Sequence, residues 1–222
     1  MSPATVPVTL AGRELAPPRH VCCFFDSTAQ QYEVLIPYLR EGLDHQEKIL
    51  AVMDREPLAG FRARLEAAGI ATAAAEGSGQ LGCHCSDDTY LAGGAFSKER
   101  VLRMLEDELR EVARGPWLRL RTCGDMAWAQ RDMPGTEELL EYESEVNALL
   151  DHHDATFLCL YDASRISGQT MLDVLGTHSH VLIGSEIREN PYYMKPAQYR
   201  QTLLARRSST RRLTRKDSDT PR

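Results

Sequence analysis

The chain lacks several features that would assign it to a common class of protein. Its 222 residues contain no run of about 18 apolar residues, so the sequence predicts no transmembrane helix. The first residues have neither the basic start nor the continuous apolar core of a secretory signal. The six cysteines are therefore expected to be reduced thiols. These absences predict a cytoplasmic protein that does not associate with membranes.

Acidic residues outnumber basic ones except at the end of the chain. The formal net charge is −6, yet residues 205–222 hold seven basic and two acidic residues, a balance of +5. Residues 1–204 therefore carry −11. This acidic body argues against nucleic-acid binding by the domain itself. The tail is predicted to be disordered, and contact with nucleic acid or an acidic partner is an alternative to a solubilising role.

The order of apolar segments predicts one α/β domain. Three apolar runs suited to buried strands are each followed by an aspartate. Helix caps are predicted at Ser27 or Thr28, at Ser97 and at Ser167. This alternation predicts right-handed crossovers and a mainly parallel sheet. A third strand is expected near Ile70–Ala74, followed by an irregular or hairpin insert over residues 76–94. The predicted organisation is a flexible leader over 1–18, the domain over 19–204 and the basic tail over 205–222.

A phosphate-binding loop is missing where such a fold would carry one. The turn from Asp26 to Gln31 contains no glycine and no lysine, whereas a phosphate loop needs both. Asp162 resembles the acid that holds magnesium in nucleotide-binding domains, but it has no phosphate cradle beside it. An ordinary ATPase is therefore disfavoured, and no cofactor is predicted.

Two further chemistries are weakly supported. Cys83-His84-Cys85 could supply metal ligands, with His178 or His180 completing a site, but the paired spacing of structural zinc sites is absent. No metal is therefore predicted. Cys159 and His178 can be arranged with Asp162 or Asp125 as a catalytic triad, yet Cys159 lies inside a strand. Asp162 follows three residues later and should leave the opposite face of the sheet.

A small-molecule pocket is the remaining hypothesis. Parallel sheets tend to bind ligands at the carboxyl ends of their strands, where Asp26 and Asp162 lie. Several aromatic residues fall in turns and strand ends, and they would either line a pocket or cover the edge of the sheet. They are Tyr90, Trp128, Tyr161, Tyr192 and Tyr193.

The order of motifs resembles one known family. The matching segments are His20-Val-Cys-Cys-Phe-Phe-Asp26, Tyr38–Leu43, Lys48–Val52, Leu118–Arg121, Gly124–Trp128, Tyr142-Glu143 with Asn147, Phe157–Asp162 and Leu175–His178. Together they are similar to the MEDS sensory domain (methanogen/methylotroph, DcmR sensory domain), over about residues 19–195.

The resemblance implies a three-layer RecA- or KaiC-like domain that lacks a phosphate-binding P-loop. It also implies a regulatory, non-catalytic role in bacteria or archaea, in which a small organic ligand is sensed. The chain shows neither a DNA-binding nor a kinase segment, so its signal is expected to pass through a kinase-like or transcription-regulating partner. The ligand-binding positions so assigned are His20, Asp26, Arg121, Asp125, Trp128, Cys159, Asp162 and His178.

Two alternatives remain open at this point. The chain could be a degenerate or residual nucleotide-binding enzyme, or a structural interaction module that binds no ligand. The sequence also leaves open whether the protein forms a homo-oligomer.

Overall fold

A computed structural model describes residues 6–131 and 133–206, and its central feature is a seven-stranded sheet. The strand order is β5-β4-β6-β7-β3-β8-β9, and every neighbouring pair is parallel except β8 and β9. The strands are β3 (Arg19–Phe25), β4 (Lys48–Met53), β5 (Leu81–Cys85), β6 (Leu120–Asp125), β7 (Ala155–Asp162), β8 (His180–Ile183) and β9 (Glu186–Glu189). A separate two-stranded hairpin precedes them, β1 (Thr9–Leu10) with β2 (Arg13–Glu14).

Helices cover both faces of this sheet. The helices are α1 (Thr28–Asp44), α2 (Arg55–Ala67), α3 (Thr72–Gly77), α4 (Lys98–Arg114), α5 (Leu139–Leu150), α6 (Gly168–Leu175) and a last one over residues 196–206. Apolar residues of α1 and α2 share one buried cluster on one face. Those of α4, α5 and α6 share a second cluster on the other. The prediction of an α/β domain with a mainly parallel sheet is therefore confirmed, while the RecA or KaiC likeness stays a prediction.

The central position of β7 explains its composition. It is the fourth of the seven strands, and residues 155–161 are all buried because neighbours and helices surround them. Such a strand needs a continuous apolar run rather than an alternating one. Only Asp162, at the carboxyl end, is exposed.

Helix starts follow the predicted serine caps. The side chains of Ser27, Ser97 and Ser167 accept hydrogen bonds from the backbone N–H three residues on, at the N-termini of α1, α4 and α6. Each cap satisfies one of the N–H groups that the first turn of a helix leaves without a partner.

Two local predictions around residues 70–94 were wrong. Residues 72–77 form the helix α3, and the strand that follows is β5, which pairs with β4 in the main sheet. Cys83-His84-Cys85 thus belongs to an edge strand rather than to an irregular insert. The alanines of α3 carry no β-branched side chains, and this favours a helix where a strand was expected.

The segments predicted as leader and tail lie at the two ends of the chain. Within the segment predicted as a leader, Val8, Leu10 and Leu15 are buried in the cluster on the α1 face. The predicted basic tail lies almost entirely outside the described residues, which end at 206.

Candidate functional site

An open groove lies at the carboxyl ends of the parallel strands. The chain leaves β4 towards the α2 face and β6 towards the α5 face, so a crevice opens between neighbouring strands. The groove has a volume of about 530 Å³. It is lined by Phe25, Asp26, Ser27, Thr28, Gln31, Asp54, Arg55, Asp125, Ala127, Arg131, Leu160, Tyr161, Asp162 and Arg165.

Four aspartates form the most distinctive feature of this groove. Asp54, Asp125, Asp162 and Asp26 terminate or directly follow β4, β6, β7 and β3, which are four consecutive strands of the sheet. Parallel strands bring their carboxyl ends to one edge, so the fold itself gathers these side chains. Of the residues predicted to bind ligand, Asp26, Asp125 and Asp162 therefore lie together.

Arginines pair with acids on the β4 side of the groove, and Arg165 also belongs to the groove lining. Arg131 donates to Asp54 at 2.8 Å and to Asp87 at 2.6 Å, and Arg55 contacts Asp87 at 3.3 Å. Asp125 is half-buried, and its Oδ1 accepts a hydrogen bond from Ala127 N at 2.9 Å. Burial raises the pKa of the Asp125 carboxyl, and the nearby charge of Asp54 adds to this shift.

A second group of polar residues is buried beneath α5, away from the lining of the groove. His20 on β3, Glu143 on α5, Cys159 on β7 and His178 after α6 turn ligand-type atoms towards one another, and all four atoms lie within 4.8 Å of one another. Glu143 Oε2 is 3.2 Å from His20 Nε2 and 3.5 Å from His178 Nε2. Cys159 Sγ is 3.6 Å from His20 Nε2 and 3.7 Å from Glu143 Oε2. We call these four residues the buried cluster.

Hydrogen bonds from outside the buried cluster fix its side chains. His20 Nδ1 is 3.3 Å from Asn147 Oδ1, and His178 Nδ1 is 2.8 Å from the carbonyl oxygen of Val174. Tyr161 donates its hydroxyl to Glu143 Oε1 at 3.3 Å. Both imidazoles and the carboxylate thus present one remaining atom each to the interior of the cluster.

Burial shifts every ionisation in the cluster towards the neutral form. It lowers the pKa of His20 to about 4. The pKa of His178 falls to about 3, because burial and the neighbouring His20 outweigh the attraction of Glu143. Burial also raises the pKa of the Glu143 carboxyl and of the Cys159 thiol. Each charged form lacks solvent here and needs a compensating charge.

Arg121 and Trp128 lie apart from both the groove lining and the buried cluster. Arg121 is buried on the α1 face, where it pairs with Glu47 and Glu41 and covers the Tyr38 ring at 4.5 Å. Trp128 is fully buried and stacks on Tyr90 and Phe96, with ring centroids 5.0 and 4.8 Å away. The structure therefore divides the predicted ligand-binding set among four separate places: the groove, the buried cluster, the surroundings of Arg121 and those of Trp128.

Sequence reasoning missed Glu143 as a site residue, although Tyr142-Glu143 with Asn147 was among the matching motifs. A usable signal was present: Glu143 lies on the buried side of α5 with Leu139, Tyr142 and Val146. An acid at the position of a core residue indicates a partner inside. Within the described residues, Cys83, His84 and Cys85 do not form a group of three or more converging ligands.

The architecture defines the class of this protein. It is an α/β domain with a polar groove where such domains place their ligands, and no helix in the described ranges is long and apolar enough to cross a membrane. Residues 19–179 match the family described as MEDS, the MEthanogen/methylotroph, DcmR Sensory domain. The chain belongs to this family, and the predicted resemblance is confirmed.

A curated relative supports a regulatory role. The chain is 27% identical over 170 residues to the transcriptional repressor DcmR of Methylorubrum extorquens. The match covers 76% of this chain and 61% of that protein, so the chain spans less than two thirds of its relative. The family description and this similarity together support a sensory or regulatory role.

Proposed function

We propose that this chain is a sensory domain that binds a small organic ligand in the groove and signals through a partner protein. The observation that carries the proposal is the groove of about 530 Å³ with four aspartates at its edge. Pockets for small molecules generally measure about 300–1,000 Å³. In the family resemblance the ligand is a small organic compound, and the groove adds a chemical constraint on it.

The charges of the lining favour a ligand with hydrogen-bond donors or a positive charge. Asp26 and Asp162 are exposed, and one oxygen of Asp162 accepts hydrogen bonds from Ser164 N and Oγ. Asp125 Oδ1 accepts a hydrogen bond from Ala127 N. Phe25 and Leu160 offer apolar contact to the carbon skeleton of the ligand. A small amine or a hydroxylated compound satisfies both parts of this surface.

The connection from groove to partner runs through α1. Ser27 caps α1 and also lines the groove, so a ligand that contacts this turn favours one position of the helix start over another. A partner that reads this surface then responds to the ligand. In view of the repressor-like relative, the proposed partner is a transcription regulator or a kinase-like protein in the cytoplasm, and the product of a neighbouring gene is the first candidate.

Thermal unfolding with separate ligand panels tests the proposal. Small amines, alcohols, methylated and halogenated compounds and ATP with magnesium form separate arms. A ligand that binds the folded state raises the melting temperature. Loss of one charge-assisted hydrogen bond costs about 1.5–3 kcal/mol, so Asp125→Asn or Asp162→Asn should weaken binding by roughly tenfold or more.

Asp151→Asn is the matched control, since Asp151 is an exposed carboxylate at the end of α5. It should leave affinity unchanged. A ligand that binds equally well to both groove variants would contradict the assignment of the groove. Stabilisation by ATP with magnesium followed by hydrolysis would favour the residual enzyme, and no response in any arm would favour the structural module.

A further inference from the structure

We propose that the buried cluster is a closed binding site for one divalent transition-metal ion, for which zinc is the best match. The ligand atoms are His20 Nε2, His178 Nε2, Cys159 Sγ and Glu143 Oε2, and all of them lie within 4.8 Å of one another. This proposal is independent of the groove and of any ligand bound there.

Four of the six separations among these atoms fit a tetrahedral ion, and the other two do not exceed 4.8 Å. Zinc bonds of about 2.0–2.3 Å place neighbouring ligand atoms about 3.3–3.7 Å apart in a tetrahedron. The nitrogen–oxygen separations here are 3.2 and 3.5 Å, and those involving sulfur are 3.6 and 3.7 Å. Four ligands from β3, β7, α5 and the segment after α6 therefore need little movement to surround an ion.

Both imidazoles present a free lone pair to this centre. A carbonyl oxygen can only accept a hydrogen bond. His178 therefore carries its proton on Nδ1, which faces the carbonyl of Val174. Asn147 Nδ2 donates to carbonyls of Glu143, Ser144 and Thr177, which leaves its Oδ1 to accept from His20 Nδ1. Such outer hydrogen bonds are what orient metal-binding histidines.

One orphaned atom points to a missing partner. His178 Nε2 is completely buried and has no hydrogen-bond partner. The Cys159 thiol lies 3.6 Å from His20 Nε2 and can donate to it, whereas His178 Nε2 has only the Glu143 carboxyl nearby, at 3.5 Å and without a hydrogen bond. Buried polar atoms without partners are costly, and a cation at this centre would satisfy both nitrogens at once.

Charge balance favours a divalent ion. When the ion binds, the Cys159 thiol and the Glu143 carboxyl release their protons to solvent and provide two negative charges. Two neutral imidazoles and a +2 ion complete a neutral site, so little net charge is buried. The thiolate and imidazoles disfavour magnesium and calcium, which prefer oxygen ligands.

The site is closed rather than open. The side chains of His20, His178 and Glu143 are fully buried, and all four positions of a tetrahedron are filled by protein atoms. Closed four-ligand sites are structural, whereas catalytic sites keep one position for water or substrate. The ion would therefore join α5 and the segment after α6 to the two central strands.

Metal content and cobalt absorption test the site directly. Untagged protein is stripped with a chelator, dialysed against zinc or cobalt(II) and measured by elemental analysis. We expect one ion per chain. With cobalt we expect intense visible bands of a tetrahedral site and a thiolate-to-cobalt charge-transfer band.

Two variants separate ligation from packing. Cys159→Ser keeps the size of the side chain and should abolish the charge-transfer band. Asn147→Ala removes a positioning residue rather than a ligand, and it should weaken binding by about 10- to 100-fold. Circular dichroism confirms that each variant is folded, and the wild-type cobalt spectrum reports thiolate ligation even if a variant fails to fold.

The double variant Cys83→Ser/His84→Ala is the matched control, because it removes the same ligand types from the edge strand β5. It should bind the ion as the wild type does. A folded wild-type protein that takes up no zinc or cobalt would overturn the proposal. The proposal would also be overturned if Cys159→Ser kept one bound ion with its charge-transfer band while the control variant lost the ion.

Discussion

Replacing Arg121 by methionine distinguishes a structural role from the ligand-binding role that the sequence assigned to it. The side chain is fully buried and pairs with Glu47, which is also fully buried. It donates to Glu41 Oε2 at 3.0 Å and to the Tyr38 carbonyl at 2.8 Å. Arg121→Met removes the ion-pair partner of Glu47 at a site that water does not reach, whereas Glu41 keeps its hydrogen bonds from Thr9.

The expected loss of stability is about 3 kcal/mol. Removing one partner of a buried ion pair costs about 3–5 kcal/mol, because the other charge stays buried without compensation. The lower end applies here, since Arg119 Nε remains 3.3 Å from Glu47 Oε1. In urea, with a slope of about 2 kcal/mol per molar, the midpoint should fall by about 1.5 M.

Two further variants sharpen the reasoning. In Glu47→Gln/Arg121→Met the loss should be smaller than the sum of the single losses by about 1–2 kcal/mol, since the pair acts as a unit. Arg188→Met is the control, because its ion pair with Glu186 is exposed and should contribute less than about 1 kcal/mol. A loss below about 1 kcal/mol for Arg121→Met, together with weaker ligand binding, would refute the structural assignment.

Two other predictions concern a glycine and a carboxylate. Replacing glycine by alanine inside a helix usually stabilises the folded protein by about 1 kcal/mol. We expect this for Gly60→Ala, because the added Cβ would meet no atom within 4 Å. Gly42→Ala should instead destabilise the protein by about 1–3 kcal/mol, because its Cβ would lie 2.9 Å from the ion-paired Arg121 side chain. Urea unfolding of both glycine variants compares these effects. Asp125→Asn should stabilise the protein at neutral pH, because burial raises the pKa of this carboxyl. Above about pH 4 the unfolded chain releases this proton more readily than the folded wild type does, so wild-type stability falls as pH rises above about 4. The stability advantage of Asp125→Asn should therefore vanish below about pH 4. Thermal unfolding from about pH 3 to 7 measures this advantage, with Asp151→Asn as the control. A stability advantage that does not depend on pH would contradict the charge argument.

The class of the fold could be predicted from the sequence because it rests on local patterns. Apolar runs such as Lys48–Met53, each followed by an acid, predicted parallel strands whose ends meet at one edge. Ser27, Ser97 and Ser167 predicted helix starts, since a cap acts within one turn. The same reasoning predicted Asp26 and Asp162 at the carboxyl edge of the sheet, where the groove lies.

Residues 70–94 show where local patterns fail. Ile70–Ala74 is short and apolar, and periodicity cannot distinguish a buried strand from a helix over so few residues. Packing decided between them, because β5 supplies the edge strand beside β4 and leaves α3 to cover it. Cys83-His84-Cys85 therefore lies in the edge strand β5 and not in the predicted insert.

The sequence by itself determined an α/β domain of the MEDS family with acids at the carboxyl edge of its sheet. Only the tertiary structure separated Arg121 and Trp128 from that edge and joined His20, Glu143, Cys159 and His178 beneath α5. The physical reason is that strand ends obey a local rule, whereas the partner of a buried side chain depends on elements far apart in the chain. Glu143 lies 123 positions after His20, and only the packing of α5 against β3 and β7 makes them neighbours.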